Sequence, residues 1–160
     1  LDLSISDNLD TEFQLQNVIN ADKQAVAKIV SHPLCHFGAS DAGAHITQFC
    51  GTGDTSHLLE HYVRETKTFT LEEAVQKMTG ELAADWGLAD RGVLEEGKAA
   101  DITIFNPDVV AAGEEEFVDD FPGEARRYIR KSHGYKAVIV NGETAYLDGK
   151  YVQSLSGQIV

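Results

Sequence analysis

The sequence predicts a mixed α/β chain, with helices and one buried strand first and a small antiparallel β unit last. Apolar residues recur at helical spacing in several segments before residue 90. A short apolar run at 34–37 follows the first of these segments and ends at a glycine, as a buried parallel strand does. After residue 100 the apolar runs become short, and Asn-Gly and Asp-Gly dipeptides separate them. We therefore expect two domains, at 1–90 and 91–160.

The bulk composition limits the class of protein. The chain has 160 residues, 42% of them hydrophobic, which suits one domain, or a domain and a half, with a real core. Its net charge of −13 would repel phosphate, so we expect no nucleic-acid partner. No apolar run approaches the ~20 residues that a membrane helix needs, and no apolar leader opens the chain. We therefore expect no membrane association.

The first residue and the two cysteines bear on the chain's origin. The chain opens with Leu1 rather than methionine, so we expect that a segment was removed or that it is a piece of a longer polypeptide. Cys35 and Cys50 belong to no Cys-x-x-Cys pair, which favours two reduced, buried thiols in a cytoplasmic protein. A disulfide between them stays open, because spacing alone does not give its geometry.

The first three elements follow from periodicity and helix stops. Residues 1–6 alternate apolar and polar side chains, which predicts a short strand or an extended arm. A helix then runs from residue 20 to Pro33, because its apolar residues share one face and proline ends it. The predicted strand at 34–37 comes next, and a loop leads to a second helix at about 55–67.

Two further helices carry clear end signals. Thr70 and Glu73 form a capping box at the start of the first. The second pairs Leu82 with Trp86 and ends at Gly87, a residue suited to a left-handed cap. We expect Trp86 in the core.

The C-terminal part is predicted as a small antiparallel unit with tight turns at 141–142 and 148–149. The acidic stretch 114–127 interrupts it and is predicted to be a solvated loop. In the first half, by contrast, 34–37 is the single clear strand, and a parallel strand buried on both faces needs strand neighbours. The first half therefore looks like one edge of a larger α/β sheet or barrel. The β runs of the C-terminal unit are residues 101–105, 136–142, 143–149 and 150–154.

Asp41 is the first candidate for chemistry. It follows the predicted strand directly, and catalytic groups of α/β sheets and barrels lie at the carboxyl ends of strands. Its neighbours are glycine, alanine and serine, which let a ligand or metal approach the backbone closely. A carboxylate there suits a general base toward a metal-bound water. The alternative is that Asp41 only caps a turn through its side chain.

Two nearby histidines leave both interpretations open. His45 lies four residues after Asp41, and an isolated histidine is more often a hydrogen-bonded structural residue than a metal ligand. His36 lies within the predicted strand, and the same two interpretations, a structural residue or a metal ligand, apply to it.

A competing motif is His-Leu-Leu-Glu-His at 57–61. It matches H-x-x-E-H, the inverted zinc-peptidase pattern, and its two histidines share one helical face. The apolar residues of the segment lie on the opposite side, so His57 and His61 fall on a polar face with Glu60. Three fixed positions in five recur by chance, which favours a solvated helix face over a zinc peptidase.

Four segments in this order resemble the C-terminal part of the metal-dependent amidohydrolase superfamily, in particular the D-aminoacylase (N-acyl-D-amino-acid deacylase) branch. The resemblance covers nearly the whole chain, including residues 7–13, and its most specific parts are residues 40–45 and 87–108. The four segments are residues 32–45, 57–65, 71–108 and 137–151.

The resemblance implies an incomplete amidohydrolase fold. Residues 34–41 become the last strand of a TIM-type (β/α) barrel, with Asp41 at its catalytic end. Residues 54–87 become the final barrel helices, so that 57–61 lies outside the metal site. The strands after residue 100 become the C-terminal share of a small β-sandwich, and the missing strand neighbours belong to the rest of the barrel.

The resemblance also implies a role for Asp41. In the family, the aspartate of this motif lies beside the metal, activates the hydrolytic water and passes its proton to the leaving amine. Ser40, Gly43 and His45 belong to the same motif and are implied to shape the turn and line the substrate pocket. The family's other metal ligands come from earlier barrel strands, so this chain alone is implied to bind no zinc and to be inactive.

Three hypotheses follow. The first is the C-terminal portion of a zinc-dependent amidohydrolase that cleaves a non-peptide-chain amide C–N bond, with an N-acyl-amino acid as its small-molecule substrate. The second is a non-catalytic module that pairs with itself to cover exposed barrel edges, as a homo-oligomer. The third is a zinc peptidase acting through His57, Glu60 and His61.

Overall fold

In the computed structural model, helices occupy the first part of the chain and strands the second. The structure describes residues 1–9, 11, 19–123, 125–152 and 154–160. The helices are α1 (Asp2–Ser6), α2 (Lys23–Val30), α3 (Asp54–His57), α4 (Leu71–Met78) and α5 (Gly80–Asp85), with a π-helical segment (Leu58–Glu65) continuing α3. The strands are β1 (Ile102–Phe105), β2 (Glu115–Phe121), β3 (Ala125–Arg130), β4 (Tyr135–Val140), β5 (Glu143–Leu147) and β6 (Lys150–Tyr151).

The N-terminal segment differs from its prediction. Residues 2–6 form α1 rather than a strand or an extended arm. Its backbone N–H groups donate hydrogen bonds to carbonyls of the same segment. The Ile5 N–H, for instance, donates to the Leu1 carbonyl at 3.0 Å, so the segment needs no neighbouring strand. Of the resembling residues 7–13, residues 10, 12 and 13 lie outside the described part of the chain.

Local capping determines where two helices begin. The Asp22 carboxylate accepts hydrogen bonds from the N–H groups of Gln24 and Ala25, both at 3.0 Å, and so caps α2. The predicted capping box of α4 is confirmed. Glu73 N–H donates to Thr70 Oγ1 at 3.2 Å, and Thr70 N–H donates to Glu73 Oε2 at 2.8 Å.

The predicted strand at 34–37 is not formed. These residues have no regular secondary structure, and Leu34 is 81% exposed. A parallel strand is held by backbone hydrogen bonds to strands beside it. Among the described residues no strand precedes Ile102, so this segment has no strand to pair with.

The four-stranded antiparallel sheet confirms the C-terminal prediction. Its strand order is β1-β4-β5-β6. Asn141 and Gly142 have φ values of 48° and 83°, which are the left-handed values of a two-residue hairpin turn. Asp148 and Gly149 repeat the arrangement at 49° and 84°.

The acidic stretch is a β-hairpin, so the prediction of a solvated loop is wrong. β2 and β3 pair antiparallel, and acidic side chains of β2 meet basic ones on or just after β3. Because these charges pair across the strands, the run of carboxylates does not prevent strand formation. The ion pairs are Glu115–Arg130 at 2.6 Å, Glu116–Lys131 at 2.8 Å, Asp119–Arg126 at 2.7 Å and Asp120–Arg127 at 2.7 Å.

The core joins the helices to the sheet region. The most buried apolar side chains in it come from the π-helical segment, the start of α4 and the connection after β1. Trp86 does not join them: it follows α5 and is 80% exposed, so the prediction of a core tryptophan is wrong. In the described part of the chain, no helix combines the length and apolarity needed to cross a membrane. The core residues are Leu58, Leu59, Phe69, Ala74 and Val110.

Candidate functional site

Four of the predicted site residues lie in one exposed loop, which we call the Asp41 loop (residues 38–53). Ser40, Asp41, Gly43 and His45 are all exposed. The Ala44 N–H donates to the Asp41 carbonyl at 3.0 Å, which closes a turn around the carboxylate. The structure therefore places these residues in a single exposed turn.

The turn-capping role falls to Ser40 rather than to Asp41. Ser40 Oγ accepts the Ala42 N–H at 3.3 Å, across the position of Asp41. Among the described residues, no hydrogen bond or ion pair engages the Asp41 carboxylate. The side chain of Asp41 is thus left exposed for other chemistry.

His45 shapes the second half of the loop. It has a φ of 47°, in the left-handed region that few non-glycine residues adopt. Its carbonyl accepts N–H groups from Gln48 at 2.7 Å and Phe49 at 3.3 Å, and its ring lies 6.1 Å from the Phe49 ring. These contacts give His45 a structural task in the turn.

Gly51 closes the loop against Asp41, and the sequence analysis missed it. A Cβ at position 51 would lie 2.7 Å from the Asp41 carbonyl carbon and 2.8 Å from its oxygen. Only glycine permits this approach. The sequence signal that could have identified Gly51 is the pair of glycines, Gly51 and Gly53, shortly after Cys50.

The two cysteines lie near the ends of the site region. Cys35 and Cys50 are not bonded to each other, and each is half-buried. Cys50 Sγ lies 3.0 Å from Thr52 Oγ1, a contact within the loop.

His36 contacts acidic side chains of α5. Its Nδ1 lies 3.0 Å from an Asp85 carboxylate oxygen and 4.0 Å from one of Glu81. Both acidic groups belong to α5, so His36 links the segment after α2 to that helix.

The histidines of the competing motif form a stacked pair. The rings of His57 and His61 are 5.2 Å apart with an interplanar angle of 9°. Burial lowers the pKa of His57, and the neighbouring His61 acts in the same direction. His61 Nδ1 hydrogen bonds to Glu65 Oε2 at 2.7 Å, and this bond lowers the pKa of Glu65.

The glutamate of the same motif has a structural task. Glu60 Oε2 accepts the Ala112 N–H at 3.1 Å, and Glu60 Oε1 lies 3.6 Å from the Arg64 guanidinium. Arg64 in turn donates to the Pro107 carbonyl at 3.3 Å and to that of Val110. Glu60 and Arg64 therefore join the π-helical segment to the connection between β1 and β2, which is not the placement of a peptidase general base.

A metal site is not formed by the residues that the structure describes. Within the described ranges, no three histidine, cysteine, aspartate or glutamate side chains come together in a way that would hold a metal ion. This holds for the Asp41 loop and for the His57 and His61 pair alike. The donor set of a transition metal needs three or four such ligands.

Comparison with known proteins identifies the protein family, which the geometry alone does not. The sequence model described as the amidohydrolase family matches residues 7–146, which is most of the chain. The chain belongs to the amidohydrolase family. The matched region contains the Asp41 loop, all helices after α1 and the strands through most of β5.

Two relatives of the chain are deacylases of N-acylated D-amino acids. The chain is 36% identical over 133 residues to an N-acyl-D-aspartate deacylase of Alcaligenes xylosoxydans xylosoxydans, covering 81% of this chain and 24% of that protein. It is 37% identical over 125 residues to an N-acyl-D-glutamate deacylase of the same organism, covering 76% of this chain and 23% of that protein. The chain thus spans about a quarter of the length of these relatives.

A solved structure agrees. A D-aminoacylase mutant in complex with copper chloride matches with a TM-score of 0.55 and 34% identity, over 68% of this chain and 21% of that one. The mixed helix and sheet arrangement of the chain is therefore similar to part of a D-aminoacylase.

Proposed function

We propose that this chain is the C-terminal portion of an amidohydrolase that hydrolyses the amide C–N bond of an N-acyl-amino acid, with Asp41 as the catalytic proton carrier. Membership of the family supports the reaction class. Similarity to deacylases of N-acyl-D-aspartate and N-acyl-D-glutamate supports the substrate class. The observation that carries the role of Asp41 is its exposed carboxylate in a turn whose capping bond Ser40 already makes.

The proposed task of Asp41 is to move one proton. Its carboxylate accepts a proton from the hydrolytic water as the water oxygen attacks the amide carbonyl carbon. The same carboxyl group then donates that proton to the amine nitrogen as the C–N bond breaks. Asp41 ends the cycle ionised, as it began. Ser40, Gly43 and His45 shape the turn and line the pocket beside it.

The metal of the complete enzyme belongs to other parts of the protein in this proposal. Zinc, when bound, polarises the amide carbonyl and acidifies water. No cluster of three possible ligands occurs among the described residues, and we propose that the zinc ligands lie in other parts of the complete enzyme. We propose that the chain alone binds no zinc and has no activity.

The proposed architecture places the two parts of the chain in a larger fold. Residues 1–90 form the last elements of a TIM-type barrel, with the Asp41 loop at its catalytic end. Residues 91–160 form the C-terminal strands of the family's β-sandwich. Segment 34–37 would become a strand when the preceding barrel strands lie beside it, because it then gains hydrogen-bond partners.

The test is the substitution Asp41→Asn in the complete enzyme, assayed on N-acyl-D-glutamate and N-acyl-D-aspartate. Asparagine keeps the size of the side chain but accepts no proton, so kcat should fall by at least ~10²-fold with little change in KM. The matched control is Asp148→Asn, which changes an exposed carboxylate in a distant hairpin turn and should leave both constants unchanged. Full activity in Asp41→Asn would contradict the proposal.

A further inference from the structure

The β2–β3 hairpin fastens the Asp41 loop at two points. The Tyr128 N–H donates to the Ile46 carbonyl at 2.7 Å. Arg130 Nη1 donates to the Thr52 carbonyl at 2.8 Å. Both donors lie on β3, so one strand holds the middle and the end of the loop.

Arg130 is itself held in one place. Its Nη2 pairs with Glu115 Oε1 at 2.6 Å, across the hairpin. Its stem packs on Gly53, where a Cβ would lie 2.9 Å from the arginine Cδ. Its Nε is buried without a hydrogen-bond partner among the described residues, an arrangement that costs free energy. The planar guanidinium nevertheless stays here, because its other nitrogens and its stem are engaged on both sides.

A short path of contacts leads from Arg130 to Asp41. Thr52, whose carbonyl Arg130 binds, follows Gly51 in the chain. Gly51 lies against the Asp41 backbone so closely that no side chain fits between them. A shift of Thr52 therefore shifts the backbone that carries the Asp41 carboxylate.

We infer that Arg130 is a positioning residue for Asp41, and that the β2–β3 hairpin is part of the catalytic assembly rather than a surface appendage. The inference rests on the proposed function of Asp41. It assigns Arg130 no contact with the substrate. A catalytic group that is displaced by about 1 Å can lose up to ~10² in rate, so even a small release of the loop is measurable.

The first experiment compares variants in the complete enzyme. Arg130→Met keeps an apolar stem and removes both hydrogen bonds. It should lower kcat about tenfold with little change in KM, because the chemical step rather than substrate binding depends on Asp41. Arg130→Lys restores one donor and should recover part of kcat.

The control is Arg127→Gln on the same strand. Arg127 pairs with Asp120 within the hairpin and, in the part of the chain that the structure describes, its side chain makes no hydrogen bond to the loop, so kcat should stay at the parent value. If Arg130→Met is folded and keeps the parent kcat, or loses no more than Arg127→Gln, the inference is overturned.

The second experiment reads the loop without activity, by amide hydrogen exchange in the 160-residue chain. The loop amides of Ala44 and Gln48 should exchange faster in Arg130→Met than in Arg127→Gln, because the loop loses one of its fastenings. Unchanged exchange overturns the inference even if the complete enzyme is a deacylase. Faster exchange in the 160-residue chain, together with a complete enzyme that deacylates nothing, supports the fastening of the loop and removes the proposed function instead.

Discussion

Asp41 and Glu60 each belong to a sequence motif that suggests catalysis. Their surroundings in the structure differ. Asp41 is exposed, and its turn is capped by the neighbouring Ser40. Glu60 accepts the Ala112 N–H and pairs with Arg64, so it holds two parts of the fold together. A general base has to reach a substrate proton and be able to take it. The exposed carboxylate of Asp41 is compatible with this task, whereas the carboxylate of Glu60 is engaged in structural contacts.

The stacked His57 ring should make stability depend on pH. Burial lowers its pKa below the ordinary value of 6.5 in the folded chain, so the unfolded chain binds more protons just below that value. Stability from this source is therefore present above about pH 6.5 and is lost as the pH falls through the window beneath it. We expect that His57→Gln loses less stability than the parent protein as the pH falls below about 6.5.

Urea unfolding at about pH 7 and at about pH 5.5 measures this difference. This pH range separates the effect of His57 on stability from that of Glu65. The pKa of Glu65 is lowered from 4.5, so Glu65 affects stability only at more acidic pH. His133→Gln, which changes an exposed histidine elsewhere, is the matched control and should follow the parent. An equal pH dependence in the parent and in His57→Gln would show that this imidazole is not responsible.

The sequence motif predicts Asp41 as a candidate, but it does not indicate the distant contacts of its loop. Asp41, Gly43 and His45 lie within six positions of one another and form a recognisable motif. The hydrogen bond from Arg130 to Thr52 joins residues 78 positions apart. Nothing in the local pattern of either segment indicates the other, because such a contact depends on how the chain folds back.

The same division between local and distant contacts separates the elements that were predicted from those that were not. The turns at Asn141-Gly142 and Asp148-Gly149 depend on the φ values those residues adopt themselves, and both were predicted. The β2–β3 hairpin depends on carboxylates meeting arginines across two strands, and the acidic run alone looked like a loop. The strand expected at 34–37 depends on neighbours that the described chain does not contain.

The capping box gives an element whose stability is measurable by one substitution. Thr70→Ala removes the Oγ1 acceptor for the Glu73 N–H and should lower the free energy of unfolding by about 1 kcal/mol. The cost should be visible globally, because α4 carries Ala74, which is fully buried in the core. Urea denaturation followed by circular dichroism measures it.

The matched control for this helix is Gln76→Ala, at an exposed position of α4. Alanine has at least the helix propensity of glutamine, so this variant should be as stable as the parent or slightly more stable. If Thr70→Ala were no less stable than Gln76→Ala, the capping box would be a local hydrogen bond without consequence for the fold.

The whole molecule combines a small core with much exposed apolar surface. Large apolar side chains remain exposed along the N-terminal segment and after α5, such as Leu3 at 62%, Trp86 at 80% and Leu94 at 78%. A chain that spans about a quarter of its deacylase relatives would leave such surface where the rest of the fold packs. This agrees with the proposal that the active site is completed by other parts of the complete enzyme. Self-association is the alternative way to cover the same surface.

The zinc content of the isolated chain directly tests the proposal that the metal ligands lie in other parts of the enzyme. Purified without chelators, the 160-residue chain should hold far less than one zinc per chain by elemental analysis, because no described cluster offers three ligands. The complete enzyme, purified in the same way, should retain its metal. About one tightly bound zinc per isolated chain would contradict the proposal that the ligands lie elsewhere. In that event Asp41→Ala and His57→Ala, measured side by side, would identify the segment that binds it, and loss of zinc in His57→Ala alone would return the 57–61 motif to consideration.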